Sequence, residues 1–240
     1  VGAYSNPYAV AAIEAPESAR AEFLRSVGLW TAGGLMIAGA TSVFSTAAVA
    51  LIPALHNQWV SLGIMLGTMF GAQAIGRSAV YSESAATRTL AFAGGMALEG
   101  VAMGYLLFSA MLVSWNLYAN PLVFLFQGLG LVGLTFVGMI AYLLTGPKNL
   151  SMLGGALSAM VLPMIGLMVI SFVFPMNGIV GILMSLVFVG MSAGGLLYNL
   201  NAVMHTMSTK MVVPAAYHVS MGILVLFWNV VTLLMKLQRR

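Results

Sequence analysis

From residue 27 onward the chain alternates long apolar stretches with short polar interruptions, and the lengths of those stretches decide how they fold. Val27–Ala50 runs 24 residues without a charge, and about 20 apolar residues suffice to cross the hydrocarbon of a bilayer as a helix. The pattern predicts seven such spans: Val27–Ala50, Trp59–Gly76, Thr89–Val113, Pro121–Leu144, Ser151–Phe174, Gly178–Met204 and Ala215–Leu237. Pro53, His56 and Asn57 mark the first turn, and Trp59 stands where an interfacial aromatic belongs. Arg77 to Arg88 reads as a polar loop, Ser114 to Asn120 (SWNLYAN) as a turn, and Gly146, Pro147 and Lys148 as the close of the fourth span. Pro163 predicts a kink in the fifth. Ahead of the first span, Glu14 to Arg25 (EAPESARAEFLR) carries a proline and acids in its first turn and an arginine in its last, which predicts a short interfacial helix. The expected architecture is all-α: an N-terminal segment, 1–26, followed by a single seven-helix transmembrane bundle, 27–240.

Composition removes the soluble alternatives. Of 240 residues, 61% are hydrophobic and 6% charged, with a mean hydropathy of +1.02; a soluble domain carries roughly 25% charged residues. The net charge of +4 comes from basic residues at loops and ends, a pattern of membrane topology and not of a nucleic-acid surface. Arg20, Arg25, Arg77, Arg88, Lys148 and Lys210 fall on the N-terminal side, while the loops after spans one, three and five have no lysine or arginine. The positive-inside rule then puts the N-terminus in the cytoplasm, or in the matrix of a mitochondrion. The basic C-terminus argues the other way but is outweighed. Residues 1–26 hold no apolar signal-peptide core, and the chain opens on Val1, so a leader already removed is the expectation.

Small and polar residues inside the spans are the remaining signals. Gly63, Gly67 and Gly71 form two overlapping small-xxx-small units that should admit a neighbouring helix. Gly128, Gly130 and Gly133 spell G-x-G-x-x-G, but inside an apolar span, where helix packing and not dinucleotide binding is expected. Leu186 to Met207 ends in a polar cluster: Tyr198, Asn201 and His205 share one helical stripe, with Asn199 rotated by about 100°. Glu99 lies near the middle of the third span. An ionised carboxylate there costs several kcal/mol, so it should be protonated, paired or facing water. It reads either as an ion or proton site, or as a hydrogen-bonded tie between helices. Arg77 is its most plausible basic partner, unless that side chain snorkels to the interface.

Several chemistries are disfavoured by the same inventory. There is no cysteine and no aspartate, and the acids are Glu14, Glu17, Glu22, Glu83 and Glu99. His56, His205 and His218 are far apart and suit hydrogen bonding better than zinc. The 19 methionines are dispersed as packing residues and not as a copper relay. No serine, histidine and acid set supports hydrolysis. Asn149-Leu150-Ser151 is a glycosylation sequon on the side assigned to the cytoplasm. No enzyme, metal or cofactor is expected; bound lipid is.

These stretches resemble the Bax-inhibitor (TMBIM) family of seven-span proteins. Arg20 to Ala40 is similar to the family's first helix. Trp59–Tyr81 resembles the second span of its mitochondrial branch, that of the growth-hormone-inducible transmembrane protein. Leu98-Glu99-Gly100 sits where many members carry an acid, Val187–Val203 is similar to the sixth-span pattern, and Phe227–Leu234 resembles the last helix. The resemblance implies that the last helix packs at the centre of the bundle. It also implies a pH-sensing cation leak built on two aspartates, one in span six and one in span seven. Here the first position reads Asn199 and the second falls at or near Gly222, and neither can share a proton as two carboxylates do.

Two functions follow as expectations. The first is a structural or organising subunit of a larger inner-membrane complex, the sensor having been lost while the scaffold was kept. The second is a residual Ca²⁺ or proton leak or exchanger that uses Glu99, with Asn199, Asn201, His205 and Arg77 as further candidates along the path. The expected location is the inner mitochondrial membrane, with a bacterial plasma membrane as the alternative. The expected partners are the bilayer and other membrane subunits, with no nucleic acid.

Overall fold

A computed structural model describes residues 11–144, 150, 153–160 and 178–238. Among them every regular element is helical. A short 3₁₀ turn, Ala12–Glu14, precedes α1 (Glu17–Leu51); a second 3₁₀ turn, Pro53–His56, leads into α2 (Gln58–Tyr81). Then come α3 (Ala85–Tyr118), α4 (Val123–Leu144), α5 (153–160), α6 (Gly178–His205) and α7 (Val212–Gln238). Six of these helices are long and apolar enough to cross a membrane. The fifth expected span is represented only by α5, and its Pro163 kink lies outside the described residues, as do Lys148 and the sequon residues Asn149 and Ser151.

Several boundaries differ from expectation, each for a local reason. No separate interfacial helix forms. Nothing between Glu17 and Leu51 breaks the hydrogen-bond ladder, so α1 is continuous through positions 26 and 27. Its 35 residues are longer than the roughly 20 that the hydrocarbon requires. The polar loop expected over Arg77 to Arg88 shrinks to Ser82-Glu83-Ser84, because Arg77–Tyr81 prolong α2 and Ala85–Arg88 open α3. Ser114–Tyr118 likewise stay helical; α3 stops at Ala119, whose φ of 52° leaves the helical region, and Ser114 Oγ donates to the Asn120 carbonyl at 2.6 Å. Pro214 sits inside the first turn of α7, where a missing N–H costs nothing. Pro53 does mark a true turn. Asn57 Oδ1 caps α2 by accepting from the amides of Trp59 and Val60, and His56 Nε2 lies 2.7 Å from the Val49 carbonyl at the end of α1.

The chain divides into two compact units. One gathers Val1–Ser109 and Ala202–Leu224, the other Ala110–Asn201 and Val225–Arg240.

In the first unit the inside-out character of a lipid-solvated protein is plain on α1. Its buried stripe is Phe23, Val27, Thr31, Gly34, Ala38, Ser42, Ser45 and Val49, mostly small or hydroxylated. Leu29, Met36, Val43, Phe44 and Leu51 stay exposed, as suits a face solvated by acyl chains. The stripe lies against α3. A Cβ on Gly100 would strike Thr41 and the Ala38 carbonyl, and one on Gly104 would strike Ser45 and the Thr46 amide. The close approach lets Ser45 Oγ donate to the Val101 carbonyl at 2.8 Å and Thr46 Oγ1 to that of Gly104 at 3.2 Å. Gly34 accommodates Phe92 and Met96 in the same way.

The glycines expected to carry packing do so only in part. Gly63 and Gly67 face open space and Gly71 meets only Leu98. In the second unit Gly128 packs on Val231 and Phe227, while Gly130 and Gly133 touch nothing. There too Gly154 of α5 receives the ring of Tyr198, and Lys236 Nζ donates to the Gly181 carbonyl at 3.3 Å. The last helix is not the most buried span. Half of the most apolar stretch of α3 is buried (50%), against 33% for α7, because its alanines and glycines admit neighbours. Within the first unit, however, the opening of α7 is enclosed: Pro214, Ala215, Ala216, Tyr217, Val219 and Ser220 are all buried.

Candidate functional site

The polar centre of the first unit is built where α2, α3 and α7 meet. Tyr217 on α7 points its hydroxyl at α2 and donates to the Ala72 carbonyl at 2.9 Å. That carbonyl is also the helical acceptor for the amide of Gly76. The ring lies across Gly76 of α2 and Gly95 of α3, where an added Cβ would collide with it. Phe92 meets the ring edge-on at 6.3 Å, and Trp30 of α1 meets Phe92 at 5.4 Å. A tyrosine suits this place because its body packs in the core while its single polar atom finds an acceptor.

Glu99 lies about one turn along α3 from Gly95 and is 7% exposed. The next residue, Gly100, is pressed against Thr41 and the Ala38 carbonyl of α1. Arg77, the partner suggested by the sequence, is exposed on α2. An exposed guanidinium gives little to a buried carboxylate, and the snorkelling role suits Arg77 better.

The other candidates are spread over two helices. Asn199, Asn201 and His205 are half-buried on α6, and Tyr198 is exposed apart from its contact with Gly154. Asn199, Asn201 and His205 each have a partner. Gly222 is half-buried in α7. The remaining acids lie at the N-terminal turn (Glu14), in the first turns of α1 (Glu17, Glu22) and in the α2–α3 connection (Glu83). Of the histidines, His56 stacks on Phe108 at 5.5 Å and closes the end of α1, and His218 adjoins Tyr217. Among the described residues no three histidines or acids converge.

Comparison with known proteins agrees with this architecture. The family model described as inhibitor of apoptosis-promoting Bax1 matches residues 20–239. The chain belongs to that family. No match is found among curated proteins or among solved structures. The Bax-inhibitor match covers the described helices from α1 to α7, and with them the Tyr217 seat and Glu99. It makes the chain a multi-pass membrane protein whose helices have the bilayer as solvent.

Tyr217 is the residue that sequence reading passes over. Its signal is the pair Tyr217-His218 just inside an apolar span, matched by Gly76 and Gly95 elsewhere, but nothing along the chain says that these face one another. Tyr217→Phe keeps the ring and should cost no more than about 1 kcal/mol, the worth of one hydrogen bond in a membrane protein. Gly76→Ala should cost about 1–3 kcal/mol, because the ring it strikes is wedged. Thermal unfolding in mild detergent measures both; equal stability of Gly76→Ala and wild type would show that the seat does not hold the helices.

Proposed function

We propose that this Bax-inhibitor family chain is a structural or organising subunit of a larger membrane assembly. The observation that carries the reading is the composition of the sensor positions: where the family resemblance implies two aspartates, the first position reads Asn199 and the second falls at or near Gly222. A pair that shares a proton is a pH latch; an amide and a glycine have no proton to share. Meanwhile the features that hold helices together are kept, in the α1–α3 contact and the Tyr217 seat. The reading is non-enzymatic; among the described residues no polar cluster brings a nucleophile to a base. It places the protein in the inner mitochondrial membrane, supported by the likeness of Trp59–Tyr81 to the mitochondrial branch. The lack of lysine and arginine in the α1–α2 and α3–α4 turns supports an N-terminus on the matrix side. Native mass of the complex released in mild detergent tests it. The expected result is a stoichiometric assembly well above the 25.2 kDa of the chain; a lone monomer would overturn it.

A second reading rests on Glu99, a buried carboxyl in a membrane span. Such groups commonly mark ion or proton paths. On this reading the protein conducts Ca²⁺ or protons weakly, and Glu99→Gln in liposomes abolishes the flux. Unchanged flux in that variant would rule it out, because Glu99 is the one acid in the middle of a span.

A further inference from the structure

The backbone just ahead of α1 reaches across the first unit to the connection between α6 and α7. The amide of Ala12, the first residue of the 3₁₀ turn, donates to the Met207 carbonyl at 2.8 Å, and Ala12 is wholly buried. Each group is an orphan of its own element. The opening amides of a helix have no acceptor within it, and carbonyls at or beyond its last turn have no intrahelical donor. On the donor side the turn is closed by the Glu14 amide on the Ala11 carbonyl at 3.0 Å and by that of Ala15 on Ala12 at 3.2 Å; Pro16 then leads into α1. On the acceptor side the Thr206 and Met207 amides both turn back onto the Ala202 carbonyl. The Lys210 amide donates to Ser208 Oγ and the Met211 amide to the Ser208 carbonyl, and Ser208 is buried. The amide of Ala215, already inside α7, donates to the Met211 carbonyl at 3.0 Å. An unbroken series of backbone contacts thus runs from Ala12 to within two residues of Tyr217.

We infer that residues 11–16 are a releasable strap that fixes where α7 enters the first unit. The strap is anchored at one point. Ala12 is its one wholly buried residue; Ala11, Ile13 and Ala15 are half-buried, and Glu14 and Pro16 are exposed. A single backbone hydrogen bond shifts an equilibrium by about ten-fold, so the strap opens and recloses without unfolding the helices on either side of it. What it holds follows it. Residues 208–211 alone separate Met207 from the start of α7 at Val212, and the turn they form is too tightly bonded to absorb a displacement. Closure therefore sets the height and angle of the helix that carries Tyr217 to its seat on Gly76 and Gly95; release lets that end of α7 swing. The α1–α3 seam lies outside this series of contacts and is indifferent to the strap. The inference is independent of both functional readings above, since each keeps the Tyr217 seat.

Amide hydrogen exchange of the full chain in mild detergent, resolved to single amides, tests this with wild type and Ala12→Pro. The substitution removes the donor at a place that otherwise suits proline, because it opens a turn and Ala11 before it is extended, with φ −64° and ψ 149°. In wild type the amides of Met207, Met211 and Ala215 should exchange faster than those of the α1–α3 seam, since they open locally. In Ala12→Pro they should exchange about ten-fold faster still, the equivalent of one lost hydrogen bond, while the seam from Gly34 to Thr46 and from Phe92 to Gly104 keeps its wild-type rates. Unchanged exchange at Met207, Met211 and Ala215 would overturn the strap. An acceleration that extends equally to the seam would overturn it as well, because Ala12 would then belong to the global fold and not to a part that opens alone.

Discussion

Everything described rests on how closely α1 can approach α3. In water the two helices would be driven together by large apolar side chains. In lipid those side chains are already solvated, and association depends on van der Waals fit and interhelical hydrogen bonds. Gly100 and Gly104 remove the side chains that would hold the backbones apart, and Thr41, Ser45 and Thr46 fill the seam with small hydroxyls. Each such hydrogen bond is worth on average only about 0.6 kcal/mol in a membrane protein. The seam is therefore held chiefly by contact area, and the hydrogen bonds set its register.

The same constraint shapes the polar centre. Once α3 is pinned to α1, Gly95 and Glu99 are carried to fixed heights in the bilayer, and Tyr217 can wedge between α3 and α2 only because Gly76 and Gly95 leave room. Glu99 is thus a lone acid beside a rigid contact. That is a different situation from two carboxylates on facing helices, whose repulsion changes with protonation and can move the helices that carry them. The proposed scaffold role rests on the first arrangement; a pH-driven gate would need the second.

Much of this was legible in the chain. The apolar runs located α4, α6 and α7 to within a few residues, and Pro53 and Asn57 marked a true turn, because proline and asparagine act locally. The family resemblance also survived comparison. What escaped was the pairing of faces. Gly63, Gly67 and Gly71 looked like the packing stripe, yet two of the three meet nothing, while Gly76, Gly100 and Gly104 do the packing. Spacing alone cannot distinguish them, since a glycine's value depends on which helix lies opposite. Helix ends were misjudged where polar residues such as Arg77 and Asn116 continue a helix beyond the hydrocarbon, for polarity marks the membrane boundary and not the end of the hydrogen-bond ladder. Glu99 was found because any acid in a span stands out; Tyr217 was not, because a tyrosine in a span does not.

The α1–α3 seam is directly testable by adding a single methyl group to it. Gly104→Ala should destabilise the chain by about 1–3 kcal/mol in thermal unfolding in mild detergent, because its Cβ would strike Ser45 and the Thr46 amide. Gly67→Ala, which meets open space, should leave stability unchanged or raise it slightly. A loss confined to Gly104→Ala is the result the account predicts; equal stability of Gly104→Ala and wild type would contradict it.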